Sequence, residues 1–336
     1  MVDFSRIFED YRSSVKRAQY RCVCNLATMR HFASVLTIVV AATACASPGS
    51  EDAIPPTETV DSTTTSTSAP TTTPAENGAT EPPCLVGDHP FSTSGVVSAF
   101  GGAAGDAIQI SGIRTGFYAE CERIVVDLLT ADGAPAGSLG LVGVEYDAAV
   151  GIVRINLPPA VVRTAIADLR LDGELADRAY IVDTVTGNLA LDIHIASGSR
   201  IALRAFEVTS PSRIVVDLKP EPDAPAATGA GLGDGLVVIR PVAGVATPPL
   251  RVAGYARSSS SPIRATLHDT PEGPVVSSIE TTTTSSTDAW TEFELEFPGS
   301  PSGTMYLRLV IPSGDSSPVW LSLDMSSTGD RNASNT

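Results

Sequence analysis

Short runs of aliphatic and β-branched residues, separated by Gly, Pro and polar turns, follow one another through most of the chain. Runs of this kind, about four to eight residues long, are typical of β-strands. The chain is therefore predicted to be all-β, with mostly antiparallel pairing. The pattern predicts strands over residues 108–110, 123–128, 151–156, 180–185, 189–195, 200–206 and 213–218, and then over residues 236–240, 250–256, 263–267, 275–280, 292–297, 305–310 and 319–323.

Local features add detail to this pattern. The tripeptide Thr-Gly-Asn at residues 186–188 has the length and chemistry of a hairpin loop. Residues 292–297 alternate strictly, so their apolar side chains should be buried and their three glutamates should face water. Residues 159–169 carry apolar side chains at helical spacing and favour one short helix.

The hexapeptide Arg-Ile-Val-Val-Asp-Leu occurs twice, at residues 123–128 and at residues 213–218. In a strand, Ile, the second Val and Leu would share one face, with Arg, the first Val and Asp on the other. An ancient duplication is one explanation. We favour two strands of one sheet that meet the same packing demand, because the flanking sequences do not repeat.

Residues 29–45 have the layout of a secretory signal peptide. A short basic start precedes an apolar run of 13 residues, and small residues lead into Cys45. The run is too short for the roughly 20 residues of a membrane-spanning helix. The cysteine after small residues resembles the lipobox of bacterial lipoproteins, although Ala42 stands where that family usually has Leu. The resemblance implies lipidation of Cys45; the alternative is an ordinary signal peptide.

Two polar segments flank this signal. Residues 46–83 are rich in Ser, Thr and Pro and almost lack aliphatic residues, which predicts a disordered linker. Residues 1–28 are polar and mixed in charge, unlike the start of a signal peptide. Two interpretations stay open for them, namely a misassigned start with translation beginning at Met29, or an extended N-terminus.

Charge excludes one class of partner. The chain has 38 acidic and 22 basic residues and a net charge of −16, so it repels phosphate backbones and is not expected to bind nucleic acid. Only two of the basic residues are lysines, Lys16 and Lys219, and Ala, Gly, Val and Thr are abundant. This composition is typical of a high-GC genome such as that of an actinobacterium.

The chain has five cysteines. Cys22 and Cys24 precede the signal, and Cys45 would carry the lipid. Cys84 and Cys121 are left as an even pair in an oxidising compartment, which predicts one disulfide. A disulfide that closes a loop of this length typically stabilises the folded protein by about 3–4 kcal/mol.

A resemblance covers the first group of strands. Residues 112–128, which read Gly-Ile-Arg-Thr-Gly-Phe-Tyr-Ala-Glu-Cys-Glu-Arg-Ile-Val-Val-Asp-Leu, resemble the opening of AMIN-like domains of actinobacterial envelope proteins. Residues 212–218 resemble the final strand of such domains. Tyr118 and Cys121 depart from the His and the aromatic residue usual in the family. The resemblance implies a non-catalytic antiparallel β-domain associated with cell-wall targeting.

A second resemblance covers the later strands. Ile239-Arg-Pro241 followed by Pro249-Leu-Arg-Val-Ala-Gly254-Tyr-Ala256 resembles the immunoglobulin-like domain of bacterial spore-germination proteins. Seven predicted strands in about 90 residues also fit an immunoglobulin-like sandwich. Residues 258–261 are a serine run where the family more often has an aromatic and an acidic residue. The predicted organisation is therefore a misassigned or extended N-terminus (1–28), a signal peptide (29–45), a linker (46–83), an AMIN-like domain (84–220), a second linker (221–235), an immunoglobulin-like domain (236–326) and a tail (327–336).

The sequence contains no recognisable catalytic motif. It lacks a Gly-x-Ser-x-Gly elbow, a paired-histidine zinc spacing and a phosphate-binding Gly-Lys-Ser, so no catalytic residue, cofactor or metal is expected. The Gly-rich residues 95–105 and 231–235 are interpreted as flexible connections. His268 and Asp269 are expected to be exposed and structural. The strand residues Asp127 and Asp217 are expected to be exposed carboxylates, with calcium binding as the alternative.

Three aromatic residues have two interpretations. Trp290, Tyr306 and Trp320 are expected in the core, and a sugar-stacking platform is the alternative. Taken together, the sequence predicts a non-catalytic envelope lipoprotein on the outer face of the cytoplasmic membrane, binding cell-wall glycan or envelope proteins. The alternatives are a cell-wall-metabolism enzyme with an unrecognised site and a structural subunit of an envelope complex.

Overall fold

The computed structural model describes residues 83–233, 235–257, 262–283, 289–299, 301–312 and 317–325. Every regular element within these ranges is a strand, as the alternating pattern predicts. The predicted signal, Cys45, the predicted linker except its last residue Pro83, the serine run 258–261 and the tail 327–336 lie outside the described residues.

Twenty strands follow one another within the described residues. They are β1 (Gly95–Phe100), β2 (Gln109–Tyr118), β3 (Cys121–Leu129), β4 (Val142–Asp147), β5 (Ile152–Asn156), β6 (Arg163–Thr164), β7 (Asp168–Arg170), β8 (Ala176–Asp183), β9 (Leu189–Ile195), β10 (Ile201–Val208), β11 (Arg213–Pro220), β12 (Gly231–Gly233), β13 (Leu236–Arg240), β14 (Gly244–Val245), β15 (Arg251–Arg257), β16 (Ile263–His268), β17 (Val275–Thr281), β18 (Trp290–Glu296), β19 (Gly303–Val310) and β20 (Val319–Met325).

Strands β1–β11 enclose the larger of two hydrophobic cores. A five-stranded sheet in the order β10-β11-β3-β2-β6 packs against the first part of a ten-stranded sheet, where the order is β1-β4-β5-β9-β8 and β7 is paired to β8. Aliphatic side chains from both sheets alternate inward along each strand and are removed from water. Fully buried examples are Val126, Val144, Ile155, Leu191 and Val216.

Strands β12–β20 enclose the second core. The other end of the ten-stranded sheet, in the order β18-β15-β13-β12, faces a five-stranded sheet in the order β14-β20-β19-β16-β17. The inward residues Val252, Ala265, Leu307 and Leu323 are fully buried. Strand β18 pairs in parallel with the end of β8 at only two positions, Trp290 opposite Val182 and Thr291 opposite Asp183, and so joins the two parts of the long sheet.

Several Gly- and Ala-rich segments form strands that the pattern does not predict. Within residues 95–105, interpreted above as a flexible connection, Gly95–Phe100 forms β1 and pairs with β4. Gly231–Gly233 forms β12 and pairs with β13. Within the 221–235 linker, Ala227 is buried and exchanges backbone hydrogen bonds with Gly198 and Ser199. In β12 the one large side chain, Leu232, is exposed, whereas β1 adds Val97 and Phe100 to the larger core.

The predicted helix over residues 159–169 is wrong. Its backbone groups pair with neighbouring strands instead, because Arg163–Thr164 forms β6 beside β2, and Asp168–Arg170 forms β7 beside β8. Ile166 and Leu169 are partly buried and pack against the larger core from these short strands. The apolar spacing that resembles a helical face therefore arises from two separate edge contacts.

The two Arg-Ile-Val-Val-Asp-Leu segments are neighbours in one sheet, as we expected. Strands β3 and β11 pair antiparallel with Val125 opposite Val215, so each arginine faces the aspartate of the other copy. The Arg123 Nε lies 2.6 Å from Asp217 Oδ1, and the Arg213 Nε lies 3.0 Å from Asp127 Oδ1. Opposite charges across an antiparallel pair stabilise the register.

The expectation that Asp127 and Asp217 are exposed is wrong for Asp217 and only partly right for Asp127. Asp217 is completely buried, and a second guanidinium, that of the buried Arg204, binds it at 3.0 Å. The Asp127 side chain is one-quarter exposed and also binds Arg114. Asp217 is buried because residues 84–92 cover this part of the sheet.

That covering segment, residues 84–92, is fixed to the outer side of the five-stranded sheet. Cys84 forms the predicted disulfide with Cys121 at the start of β3, with the Cα atoms 6.2 Å apart. The Arg204 guanidinium donates hydrogen bonds to the carbonyl oxygens of Cys84, Val86, Gly87 and His89. It also lies over the Phe91 ring, so one buried cation holds the segment through both backbone and aromatic contacts.

Candidate functional site

A buried polar cluster lies where the two parts of the long sheet meet, and we call it the polar joint. It consists of Arg154 on β5, Asp192 and His194 on β9, Tyr255 on β15 and Glu292 on β18. Arg154 lies directly opposite Asp192, and Tyr255 lies directly opposite Glu292. Two cross-strand pairs, one from each half of the protein, therefore bind each other.

A continuous chain of hydrogen bonds runs through the polar joint. Arg154 donates to both oxygens of Asp192 at 2.8 and 2.7 Å, and through its third nitrogen to Glu292 Oε1 at 2.9 Å. The Tyr255 hydroxyl donates to Asp192 Oδ2 at 2.9 Å. Because that hydroxyl has a single proton, His194 Nε2, 2.8 Å away, must donate to the Tyr255 oxygen. The bonding therefore assigns the Nε2-protonated tautomer to His194.

Burial and charge shift the pKa values of these groups. Burial lowers the pKa of His194 to about 4, and the nearby Asp192 carboxylate only partly opposes this effect. Burial also raises the pKa of the Tyr255 hydroxyl well above its ordinary value, and the adjacent Asp192 charge adds to the shift. Asp192 and Glu292 raise the pKa of Arg154, which burial alone would lower. At neutral pH His194 and Tyr255 are therefore uncharged, and the Arg154 guanidinium forms ion pairs with Asp192 and Glu292.

Aromatic packing surrounds the polar joint. Tyr180, Tyr255 and Trp290 form a small apolar cluster with Val182 and Val237, and the Tyr180 ring contacts the rings of the other two aromatic residues. The Trp290 Nε1 donates to Asp168 Oδ2 at 3.0 Å, and Arg257 binds the same carboxylate at 2.7 Å. The joint is therefore a packed interface in which the polar groups have partners.

The polar joint is unsuited to chemistry on a substrate. Asp192 and Tyr255 are completely buried and His194 is nearly so, and each lone pair or proton described above is used inside the protein. The other buried carboxylates are also occupied, since Glu122 accepts three backbone N–H groups from residues 174–176 and Asp217 binds two arginines. The described residues include no group of three or more His, Cys, Asp or Glu placed to hold a metal ion.

A partly exposed surface of different chemistry lies on the outer face of the second five-stranded sheet. Trp320, 41% exposed, lies directly opposite Arg308, whose guanidinium carbon is 5.7 Å from the indole centroid. The His268 ring lies 5.4 Å from the same indole, and Tyr306 lies directly opposite His268 on β19. We call these four residues the aromatic face.

The structure corrects several expectations about single residues. Trp290 is buried as expected, whereas the core assignment is wrong for Trp320 and for Tyr306, which lie on the outer face of their sheet. His268 is buried rather than exposed, with Nδ1 donating to the Gly273 oxygen and Nε2 bonded to the Thr266 hydroxyl. Of the three glutamates on β18, Glu294 and Glu296 face water, but Glu292 binds Arg154 in the polar joint.

Sequence reasoning missed the polar joint altogether. One signal was available, because Asp192 and His194 interrupt a strand whose other residues are all apolar. Polar groups in a strand buried on both faces need partners. Their partners Arg154 and Tyr255 are 38 and 63 positions from Asp192, so no local pattern connects them.

Comparisons with known proteins give little. No family model and no curated protein matches the chain. One solved structure, the trimeric ectodomain of the Caenorhabditis elegans fusion protein EFF-1, aligns at 8% identity and a TM-score of 0.22 over 64% of this chain. The chain spans 58% of that ectodomain's length. Within the described residues, no helix is long and apolar enough to cross a membrane.

Proposed function

We propose that this protein is a non-catalytic cell-envelope lipoprotein anchored through Cys45, with a binding or assembly role at the cell wall. In this proposal the AMIN-like domain, residues 84–220, and the germination-type immunoglobulin-like domain, residues 236–326, are the binding modules. Residues 46–83 act as a spacer on the outer face of the cytoplasmic membrane.

One observation carries most of the proposal. Cys84 and Cys121 bind each other, so Cys45 is the one cysteine from Met29 onward that this disulfide does not use. That cysteine ends a segment with the layout of an export signal, and a disulfide accords with an oxidising compartment. The closed character of the polar joint supports a binding role over catalysis, because its buried acid and base groups are occupied by each other.

Fractionation and sedimentation test the proposal. Wild-type protein is expected in the membrane fraction, and the Cys45→Ala variant is expected to be released from it. Persistence of Cys45→Ala in the membrane fraction would contradict lipid anchoring. Purified protein is expected to sediment with peptidoglycan sacculi. Capture of one stoichiometric protein without sacculus binding would favour an envelope-complex subunit, and cleavage of the glycan would favour an enzyme of wall metabolism.

A further inference from the structure

We propose that the aromatic face binds an acidic polysaccharide, with a sugar ring stacked on Trp320 and a sugar carboxylate bound by Arg308. This proposal rests on the function proposed above and gives it a location and a ligand class. Its starting point is the contrast between the chain's two tryptophans, of which Trp290 is 4% exposed and Trp320 is 41% exposed.

The exposed tryptophan is held in place by its neighbours. Trp320 alternates with Val319 and Leu321, which are buried in the second core, so its ring must project from the opposite face of the sheet. The His268 ring that contacts it is itself fixed by bonds to Thr266 and Gly273. A preorganised aromatic surface loses little conformational entropy when a ligand stacks on it.

The ring of a sugar suits this surface. The face of an indole is electron-rich and attracts the weakly positive C–H groups of a pyranose ring. Hydroxyl-bearing and acidic side chains surround the aromatic residues, since Ser322 lies opposite Tyr306 and Thr304 lies opposite Asp324 on the same strand pair. These groups can form hydrogen bonds with the sugar hydroxyls while the sugar ring stacks on the indole. A few polar groups placed in this way fix the orientation of a bound ligand.

The charge of Arg308 points to a carboxylate on that sugar. The other described arginines of the second half are paired, Arg240 with Asp147, Arg251 with Glu296, Arg257 with Asp168 and Arg264 with Glu280. Arg308 forms no ion pair with any carboxylate of the described residues. A guanidinium that contacts an exposed indole and that no carboxylate of the described residues neutralises can bind a planar anion through two parallel hydrogen bonds.

Tryptophan fluorescence of the full chain, purified in detergent under oxidising conditions, tests the site. Because Trp290 is buried, added polygalacturonate should change the emission mainly through Trp320. Arg308→Gln, which keeps the reporter, should raise the dissociation constant by at least about tenfold. Arg264→Gln is the matched control on the same face, since Arg264 is already paired with Glu280, and it should bind like wild type.

Two further measurements complete the test. Trp320→Ala, followed by calorimetry, should lose polygalacturonate binding, whereas Tyr118→Ala, an exposed aromatic in the other half, should not. Carboxyl-reduced polymer should bind wild type as weakly as polygalacturonate binds Arg308→Gln. Equal affinity of wild type and Arg308→Gln, or no affinity of wild type for polygalacturonate, would overturn the proposed site.

The site and the proposed function can fail separately. Sedimentation of wild type and Trp320→Ala with sacculi to the same extent would overturn the site and leave a wall-binding function that uses another surface. Failure of wild type to sediment, together with polygalacturonate binding that needs Trp320 and Arg308, would overturn the proposed wall function and support the site.

Discussion

Asp217 lies directly opposite Arg123 across the β3–β11 pair, and its Oδ1 accepts the Arg123 Nε–H at 2.6 Å. Its other oxygen accepts hydrogen bonds from Arg123 and from Arg204. One fully buried carboxylate thus binds two guanidinium groups, of which Arg204 is also buried. The arrangement connects the central strand pair of the sheet to the segment that covers it.

Neutralising Asp217 should therefore destabilise the protein strongly. Asp217→Asn would leave the Arg204 charge buried without its counter-ion, and breaking a buried pair in this way costs about 3–5 kcal/mol. Urea unfolding measures the loss. The matched control is Asp127→Asn in the other copy of the repeat, where greater exposure limits the loss to about 1 kcal/mol. Equal losses in the two variants would contradict this explanation.

Stability should fall as the pH decreases from about 6.5 to about 4, and His194 should be a main cause. The unfolded histidine binds a proton near its ordinary pKa of 6.5, but the native state, with a pKa of about 4, does not. Unfolding therefore takes up a proton in this window, which removes up to about 3 kcal/mol of stability.

Denaturant titrations at several pH values measure this effect. His194→Gln should flatten the curve between pH 6.5 and 4. The charged groups that act on His194 are Asp192, Asp177, Arg178 and Arg154. Asp127 acts in a different range, since Arg114 lowers its pKa below the ordinary 3.8 and its stabilisation is lost only in stronger acid. An unchanged slope in His194→Gln would assign the pH dependence to other groups.

Two buried tyrosines should respond oppositely to loss of the hydroxyl group. Tyr255→Phe removes the group that joins His194 to Asp192, and leaving such partners unsatisfied costs about 1–3 kcal/mol. The Tyr146 hydroxyl is buried without a hydrogen-bond partner, so Tyr146→Phe should leave stability unchanged or raise it. Thermal melting of both variants at pH 7 compares them directly, and a larger loss in Tyr146→Phe would contradict the assignment.

Reduction of the Cys84–Cys121 disulfide should lower stability without unfolding the protein. The two cysteines are 37 positions apart, and loss of such a cross-link typically costs about 3–4 kcal/mol. Melting with and without reductant measures the effect, and Cys84→Ser with Cys121→Ser should reproduce it. The variant should not respond to reductant. A reductant effect of similar size in the variant would mean that another thiol is responsible.

Gly254 should not tolerate a side chain. A Cβ at this position would overlap the Val237 carbonyl oxygen on the paired strand β13, so Gly254→Ala forces the strands apart at a cost of about 1–3 kcal/mol. Gly112 is the matched control, because it also lies in a strand and has open space where a Cβ would be. Gly112→Ala should melt at or above the wild-type temperature, and equal losses would contradict the packing argument.

Alternation in the sequence predicts most of the sheets because burial of one face leaves a period of two in the side chains. It succeeds for β3 and β11, whose apolar residues form the inner face. It fails for β12, where two glycines and the exposed Leu232 give backbone pairing with little apolar burial, and for β1, which lies in a Gly- and Ala-rich stretch although Val97 and Phe100 pack against the larger core. It also fails for residues 159–169, where two edge contacts give an apolar spacing that resembles a helix.

The functional surfaces are harder to predict, since they depend on strands that are distant in sequence. Arg154 and Glu292 are 138 positions apart and meet only because β8 and β18 pair. Trp320 has the alternating apolar neighbours of any core strand, and only the direction of its side chain separates a core residue from an exposed one. The sequence alone therefore allowed both interpretations of this tryptophan.

The disulfide also determines how mechanical load would pass through the molecule. A pull that acts on Cys84 from its N-terminal side crosses a covalent bond to Cys121. Cys121 begins β3, the central strand of its five-stranded sheet, so the force is spread over hydrogen bonds on both sides of that strand. The covering segment and the Arg204 contacts behind it are shielded from tension, and the fold would resist being peeled from its end.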